Sequence, residues 1–129
     1  MAKEKYTIEY NLNTVSLNVL WGYIATPHGL ANWFADDVEQ EGKKFIFHWD
    51  TTQQEAEQVG YRNGVFVRFR WKEDENEPER PYFEFRIAQI ELTGTTMLDV
   101  TDFTEPEEKE DSIELWNTQI ETLMHRLGI

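Results

Sequence analysis

Few residues in this chain are placed to do chemistry, and the most useful are carboxylates close to runs of aromatic rings. A carboxyl group in apolar surroundings holds its proton to higher pH and then serves as an acid or a polar handle. Asp36-Asp37 follows the pair Trp33-Phe34, and Asp99 and Asp102 lie among the apolar positions of the last strand. Asp102 shares the parity of Leu98 and Val100, which makes it the candidate for an inward-facing carboxyl. The plainer reading is a strand-end residue in water, because 25 acidic residues put some near any pocket by chance. Tyr61 and Tyr10 are the other titratable groups that could reach an interior.

Other chemistries lack their residues. His28, His48 and His125 fall in three different segments and cysteine is absent, so the three or four convergent ligands of a zinc site are not expected. There is no Gly-x-Ser-x-Gly elbow, and Ser16 and Ser112 suit helix starts. No glycine-rich phosphate loop calls for a nucleotide. Arg68, Arg70 and Arg86 lie opposite the aromatic faces of their strands, as solvated charges balancing Glu84 and other acids. The expectation is a protein with no catalytic residues, no metal and no cofactor.

The elements that would position these groups follow from periodicity. Tyr6, Ile8, Tyr10 and Leu12 alternate with polar residues, as in a half-buried strand. Asn13 or Thr14 can cap a helix carrying Val15, Val19, Leu20, Tyr23 and Ile24. Pro27 ends it, and Thr26 caps a short second helix with Leu30, Trp33 and Phe34. Strands follow. Residues 36–41 are polar and closed by Gly42; 43–49 put Phe45, Phe47 and Trp49 on one face; 55–62 place Val59 and Tyr61 together. Asn63-Gly64 is a hairpin turn into 65–71, with Val65, Val67, Phe69 and Trp71 aligned. After the acidic loop Lys72 to Pro81, residues 82–92 align Phe83, Phe85 and Ile87. Ile90 and Leu92 have the other parity, so a bulge is expected near Ala88 or Gln89. Residues 95–103 form the last strand. Thr104-Glu105-Pro106-Glu107 reads as a capping box, with a later start near Asp111 as the alternative. Ile113, Trp116, Ile120, Leu123, Met124 and Leu127 then follow one helical face to a stop at Gly128.

Length and charge narrow the function. At 129 residues the chain is one domain over 1–129, able to bury roughly two-thirds of its unfolded surface. Twelve basic against 25 acidic residues give a net charge of -13, which disfavours nucleic acid and anionic membranes. Solubility is the plain reason for the acidity and a basic partner surface the sharper one. No apolar run follows Met-Ala-Lys-Glu-Lys, so no signal peptide and no membrane insertion are expected. With cysteine absent, the expectation is a soluble cytoplasmic protein.

The order strand, two short helices, about six strands and a long C-terminal helix resembles the α+β helix-grip fold of the START-like (SRPBCC) superfamily. The nearest likeness is to small bacterial proteins related to the C-terminal domain of the activator of heat-shock protein ATPase. The pattern is carried here by Trp21, Thr26-Pro27, Leu30 and Trp33-Phe34, by Gly42 followed by Phe45, Phe47 and Trp49, and by Thr96, Leu98, Val100, Phe103 and Trp116. The resemblance implies a curved antiparallel sheet wrapped around the last helix, with an apolar cavity between them. Its expected lining is Trp33, Phe34, Phe45, Phe47, Trp49, Tyr61, Val67, Phe69, Phe83, Phe85, Leu98, Asp102, Trp116, Ile120 and Met124. Aromatic residues dominate core burial anyway, so a solid core fits the same pattern. The function carried forward is a non-catalytic binding module for a small hydrophobic ligand. The alternatives are a protein-interaction module resembling the heat-shock ATPase activator domain, and a cyclase- or hydrolase-type enzyme. Trp71 and Leu115 could leave an apolar patch for a homodimer.

Overall fold

The computed structural model describes residues 3–129. Seven strands form one antiparallel sheet: β1 (Glu4–Asn11), β2 (Asp37–Glu41), β3 (Lys44–Trp49), β4 (Thr52–Arg62), β5 (Phe66–Trp71), β6 (Phe83–Ile90) and β7 (Thr95–Thr104). Their spatial order is β1-β7-β6-β5-β4-β3-β2. Each strand from β2 to β6 therefore pairs with its successor, and β1 closes on β7 with Tyr6 opposite Asp102. Helices α1 (Leu17–Ala25), α2 (Pro27–Leu30) and α3 (Lys109–Leu127) complete the expected α+β helix-grip architecture.

Alternation decides which face of the sheet is covered. Phe45 and Phe47 of β3, Val67 and Phe69 of β5, Phe83, Phe85 and Ile87 of β6, and Leu98 and Val100 of β7 are all buried. Against them lies α3, about 28 Å long at 1.5 Å per residue, which buries Trp116, Ile120 and Leu123 along one stripe. Gly128 ends it at φ 78°, where its N–H bonds the His125 carbonyl and the Ile129 N–H bonds that of Met124. This paired closure uses a left-handed residue, which glycine adopts without strain.

The Thr26-to-Phe34 stretch joins α1 to the sheet by a chain of specific bonds. The Thr26 hydroxyl accepts from the Gly29 N–H at 3.0 Å and donates to the Gly22 carbonyl at 2.6 Å. It thus opens α2 and closes α1 at once. The Trp33 indole N–H donates to the Tyr23 carbonyl at 2.8 Å. Gly29 is where the two helices touch: a Cβ there would stand 1.9 Å from the Gly22 carbonyl oxygen.

Several expectations are corrected. The first helix is capped by Ser16, which accepts from the Val19 N–H, rather than by Asn13 or Thr14, and Val19 is 52% exposed. β6 pairs with β7 without interruption from Glu84 to Ile90, so no bulge occurs at Ala88 or Gln89. Ile90 and Leu92 have the wrong parity because they are exposed at the strand's end, not because the chain kinks. The register shift lies in β4, between Gln58 and Gly60, and it separates Val59 from the face that carries Tyr61. Thr104 is the buried last residue of β7 and makes no capping box. Pro106 opens a 3-10 turn, Pro106–Glu108, and α3 follows it.

The Gly29 contact generates a paired prediction. Gly29→Ala forces a methyl into backbone that cannot yield, and should cost about 3 kcal/mol, the upper end for overpacking. Gly22→Ala, whose Cβ would meet nothing within 4 Å, should be neutral or stabilise by up to about 1 kcal/mol. Denaturant unfolding of both variants checks this; equal midpoints would remove the close-contact argument.

Candidate functional site

The space between the sheet and α3 is occupied by rings. Phe34 stands at its centre, carried on the turn after α2 rather than on a strand. Its ring meets Phe47 at 5.2 Å, Trp33 and Phe83 at 5.6 Å, Trp49 at 5.8 Å, Trp116 at 5.9 Å, Phe85 at 6.0 Å and Trp71 at 6.5 Å. Most of these pairs are edge-on or offset, the arrangements that ring quadrupoles favour. The Phe34 carbonyl accepts from the Trp49 indole N–H at 3.0 Å and from the Gln119 amide at 3.5 Å. Sheet, turn and α3 therefore meet on one residue.

Most of the expected lining residues converge here. Trp33, Phe34, Phe45, Phe47, Val67, Phe69, Phe83, Phe85, Leu98, Trp116 and Ile120 are buried in one cluster, with Trp49 and Met124 packed against it. Tyr61 does not join them. It pairs with Val67 on β5 but lies at the margin, 51% exposed, with its ring against Trp21 at 5.8 Å. Trp71 packs one side against Phe83 at 4.9 Å and stays half-buried.

Asp102 faces inward, as its parity with Leu98 and Val100 predicts. One carboxylate oxygen accepts from the Trp116 indole N–H at 2.9 Å and the other from its neighbour Phe103's backbone N–H at 2.8 Å. Burial pushes its pKa up to about 6, against the opposing pull of those two bonds and of the Lys3 charge. Beside it on β1, Tyr6 shares a hydrogen bond with Ser112. Two cross-strand neighbours thus hold positions four apart on α3. Tyr10 adds a third tie, donating to the Asn117 side-chain oxygen at 2.7 Å, and burial raises its hydroxyl to about 12. On the opposite flank the Arg126 guanidinium donates to the Asn32 carbonyl at 3.0 Å.

The roles of Tyr6 and Ser112 escape sequence reading. Ser112 looks like a helix-start residue, and Tyr6 like any alternating core residue. Only the register Tyr6 to Asp102 shows that they work together, and no local pattern encodes the pairing of residues so far apart. The three histidines remain separate. Among the described residues no group of three or more His, Cys, Asp or Glu side chains could hold a metal ion. None of the helices there is long and apolar enough to cross a membrane.

This arrangement has clear relatives. A model described as the START-like superfamily domain matches residues 1–129. A protein from Bacteroides fragilis with a solution structure is 45% identical, covering 98% of this chain and 92% of its own, at a TM-score of 0.71. The Aha1 dimer from Colwellia psychrerythraea is 17% identical over 100% of this chain and 98% of its own, at 0.75. A protein of the dynemicin biosynthetic locus is 13% identical over 98% of this chain and 48% of its own, at 0.79. The last two show likeness of fold alone. No curated protein matches the chain.

The inward carboxyl predicts a pH dependence. An unfolded aspartate titrates near ~3.9, whereas Asp102 in the fold titrates at about 6. The folded state therefore binds the proton more tightly, and this group stabilises the fold at low pH and loses that contribution as pH rises through about 6. Other carboxylates titrate in the same range, so the readout is the difference between the wild type and Asp102→Asn. The variant should gain stability relative to wild type as pH goes from 4 to 7, followed by urea unfolding at each pH. A flat difference would show that Asp102 is not held protonated by the fold.

Proposed function

The chain belongs to the START-like superfamily, and from that premise we propose that it is a non-catalytic binding domain for a small hydrophobic ligand held between the sheet and α3. The observation that carries this reading is the position of Phe34. Its ring fills the centre of the space that the other rings wall, yet it is delivered by a four-residue turn after α2. A ring on a short connecting segment can leave that space without unpairing a strand. A ligand of similar size and apolarity would take its place among Phe47, Phe83, Phe85 and Trp116, with the Asp102 carboxyl beside Trp116. Trp49 and Trp71, half-buried beside Phe34, mark the side by which it would enter.

An enzymatic role has less behind it. Both Asp102 oxygens are already bonded, the Tyr10 hydroxyl is committed to Asn117, and Tyr61 lies at the margin. A second reading, as a protein-contact module, rests on Leu115. It is 61% exposed on the outer side of α3, and one structural relative is a dimer. A domain of either kind would work in the cytoplasm, in keeping with its cysteine-free composition.

Ligand binding should appear in the native mass spectrum of protein purified from cells as added mass, and in the tryptophan fluorescence of the wild type titrated with fatty acids and aromatic compounds. A bare chain in the spectrum together with unchanged fluorescence across the series would defeat the proposal. Phe34→Ala should cost about 4 kcal/mol of stability, as for loss of a buried ring, and should tighten binding of the same ligands by vacating their space. The same spectra decide the second reading, since a monomer at every concentration leaves no homodimer.

A further inference from the structure

A groove unrelated to the ring layer lies at the bulge of β4. In this chain acidic residues outnumber basic ones 25 to 12, and five of the twelve lysine and arginine side chains pair with a carboxylate among the described residues. Arg68 and Arg86 share Glu84, Lys3 pairs with Asp74, Lys72 with Glu55 and Lys109 with Glu4. Lys43 and Arg80 form no ion pair among the described residues, and both line one groove of about 520 Å³ together with Arg70, Glu57, Gly60 and Tyr61. Arg70 spends part of its guanidinium on carbonyls, Nε donating to Pro81 at 3.0 Å and one terminal nitrogen to Arg80 at 3.3 Å. It forms no ion pair among the described residues, and Glu57 lies across from it on β4. Three cations therefore face one carboxylate.

The backbone contributes as well. β3 and β4 pair only as far as Lys44 with Glu57, and the last bond between them is from the Gln58 N–H to the Lys43 carbonyl. Beyond it, residues 60–62 of β4 keep their partners on β5 but overhang the end of β3. The register shift falls at the start of this overhang. Gly60 is confined there, since a Cβ would stand 3.0 Å from the Phe66 ring. Bulges of this kind bend the strand and re-aim its side chains. On the far wall Arg80 holds φ at 51°, a left-handed conformation that non-glycine residues rarely adopt. The bonds from Arg70 to the carbonyls of Arg80 and Pro81 pin the backbone there.

We infer that this groove binds a small phosphorylated molecule. The excess of positive charge in the lining matches the two negative charges of a phosphate monoester better than the single charge of a carboxylate. Arginine and lysine donors satisfy its three oxygens. The groove is several times larger than a phosphate alone and falls within the usual range of ligand sites, roughly 300–1,000 Å³. The rest of the groove, along Gln58 and Val59, leaves room for the organic part. The overall negative charge does not decide the matter, because exposed charges more than about 10 Å apart are largely screened at 0.1 M salt.

The test is an amide NMR titration of the wild type with phenyl phosphate, inorganic phosphate and benzoate. The expected result is saturable shifts confined to residues around Lys43, Gly60, Tyr61 and Arg80, tightest for phenyl phosphate and weakest for benzoate. Arg80→Gly keeps the left-handed backbone while removing the charge, and should weaken phenyl phosphate binding about tenfold, the worth of one charge-assisted bond. Lys43→Gln, on the other wall, should do the same and serves if Arg80→Gly disturbs the loop. Shifts that never saturate, that spread over all exposed cations, or that persist undiminished in both charge variants would overturn the site. Benzoate binding as tightly as phenyl phosphate would overturn its preference for phosphate.

Discussion

Phe34 is used twice, and the arrangement of the interior depends on that double use. Its ring touches seven others, drawn from β3, β5, β6, α3 and its own turn. Its carbonyl takes a bond from Trp49 on the sheet and another from Gln119 on the helix. Burying an aromatic ring is worth a few kcal/mol wherever it occurs. What is particular here is that the same residue fixes the separation between the sheet and α3. The bonds upstream exist to hold it there: Thr26 joins the two short helices, Gly29 lets them touch, and Trp33 binds the Tyr23 carbonyl.

Helix α3 lies on this ring layer and is tied along both flanks by side chains. On one flank Tyr6 and Tyr10 of β1 and Asp102 of β7 reach Ser112, Asn117 and Trp116. On the other, Arg126 and Gln119 reach carbonyls of the α2–β2 turn. These bonds are polar and few, while the area beneath them is large and apolar. Apolar burial therefore supplies most of the attraction, and the polar ties fix the helix in one register. Asp102 is the costly member of the set, a carboxyl kept from water so that an indole N–H is not left unpaired.

The sequence makes the fold class legible because its periodicities are strong and non-overlapping. Phe45, Phe47 and Trp49, then Val67, Phe69 and Trp71, then Phe83 and Phe85 alternate too regularly to be anything but strands. Trp116, Ile120 and Leu123 recur too evenly to be anything but one helix face. Reading fails where tertiary context overrides parity. Ile90 and Leu92 suggest a bulge but are exposed strand-end residues, whereas the real bulge at Val59 leaves no mark because its neighbours Gln58 and Gly60 carry no apolar signal. Tyr61 has the parity of a lining residue yet stands at the edge, because β4 runs past the end of β3. The site is half legible for the same reason. Rings and the parity of Asp102 can be read locally, but the pairing of Asp102 with Tyr6 depends on residues 96 positions apart in the chain.

That pairing also governs the order in which the molecule can assemble. Strands β2 to β7 form a continuous meander, each hairpin closing a short stretch of chain. β1 is the exception, because it joins the sheet only across β7, through contacts such as Glu4 with Thr104. Loop-closure entropy rises with the length of chain enclosed, so the meander can organise before β1 is recruited. Until α3 arrives, the meander presents its face of phenylalanine and tryptophan side chains to water. The last helix is thus more than a cover for the ring layer: its docking ends the interval in which a half-built sheet is most prone to stick to its neighbours.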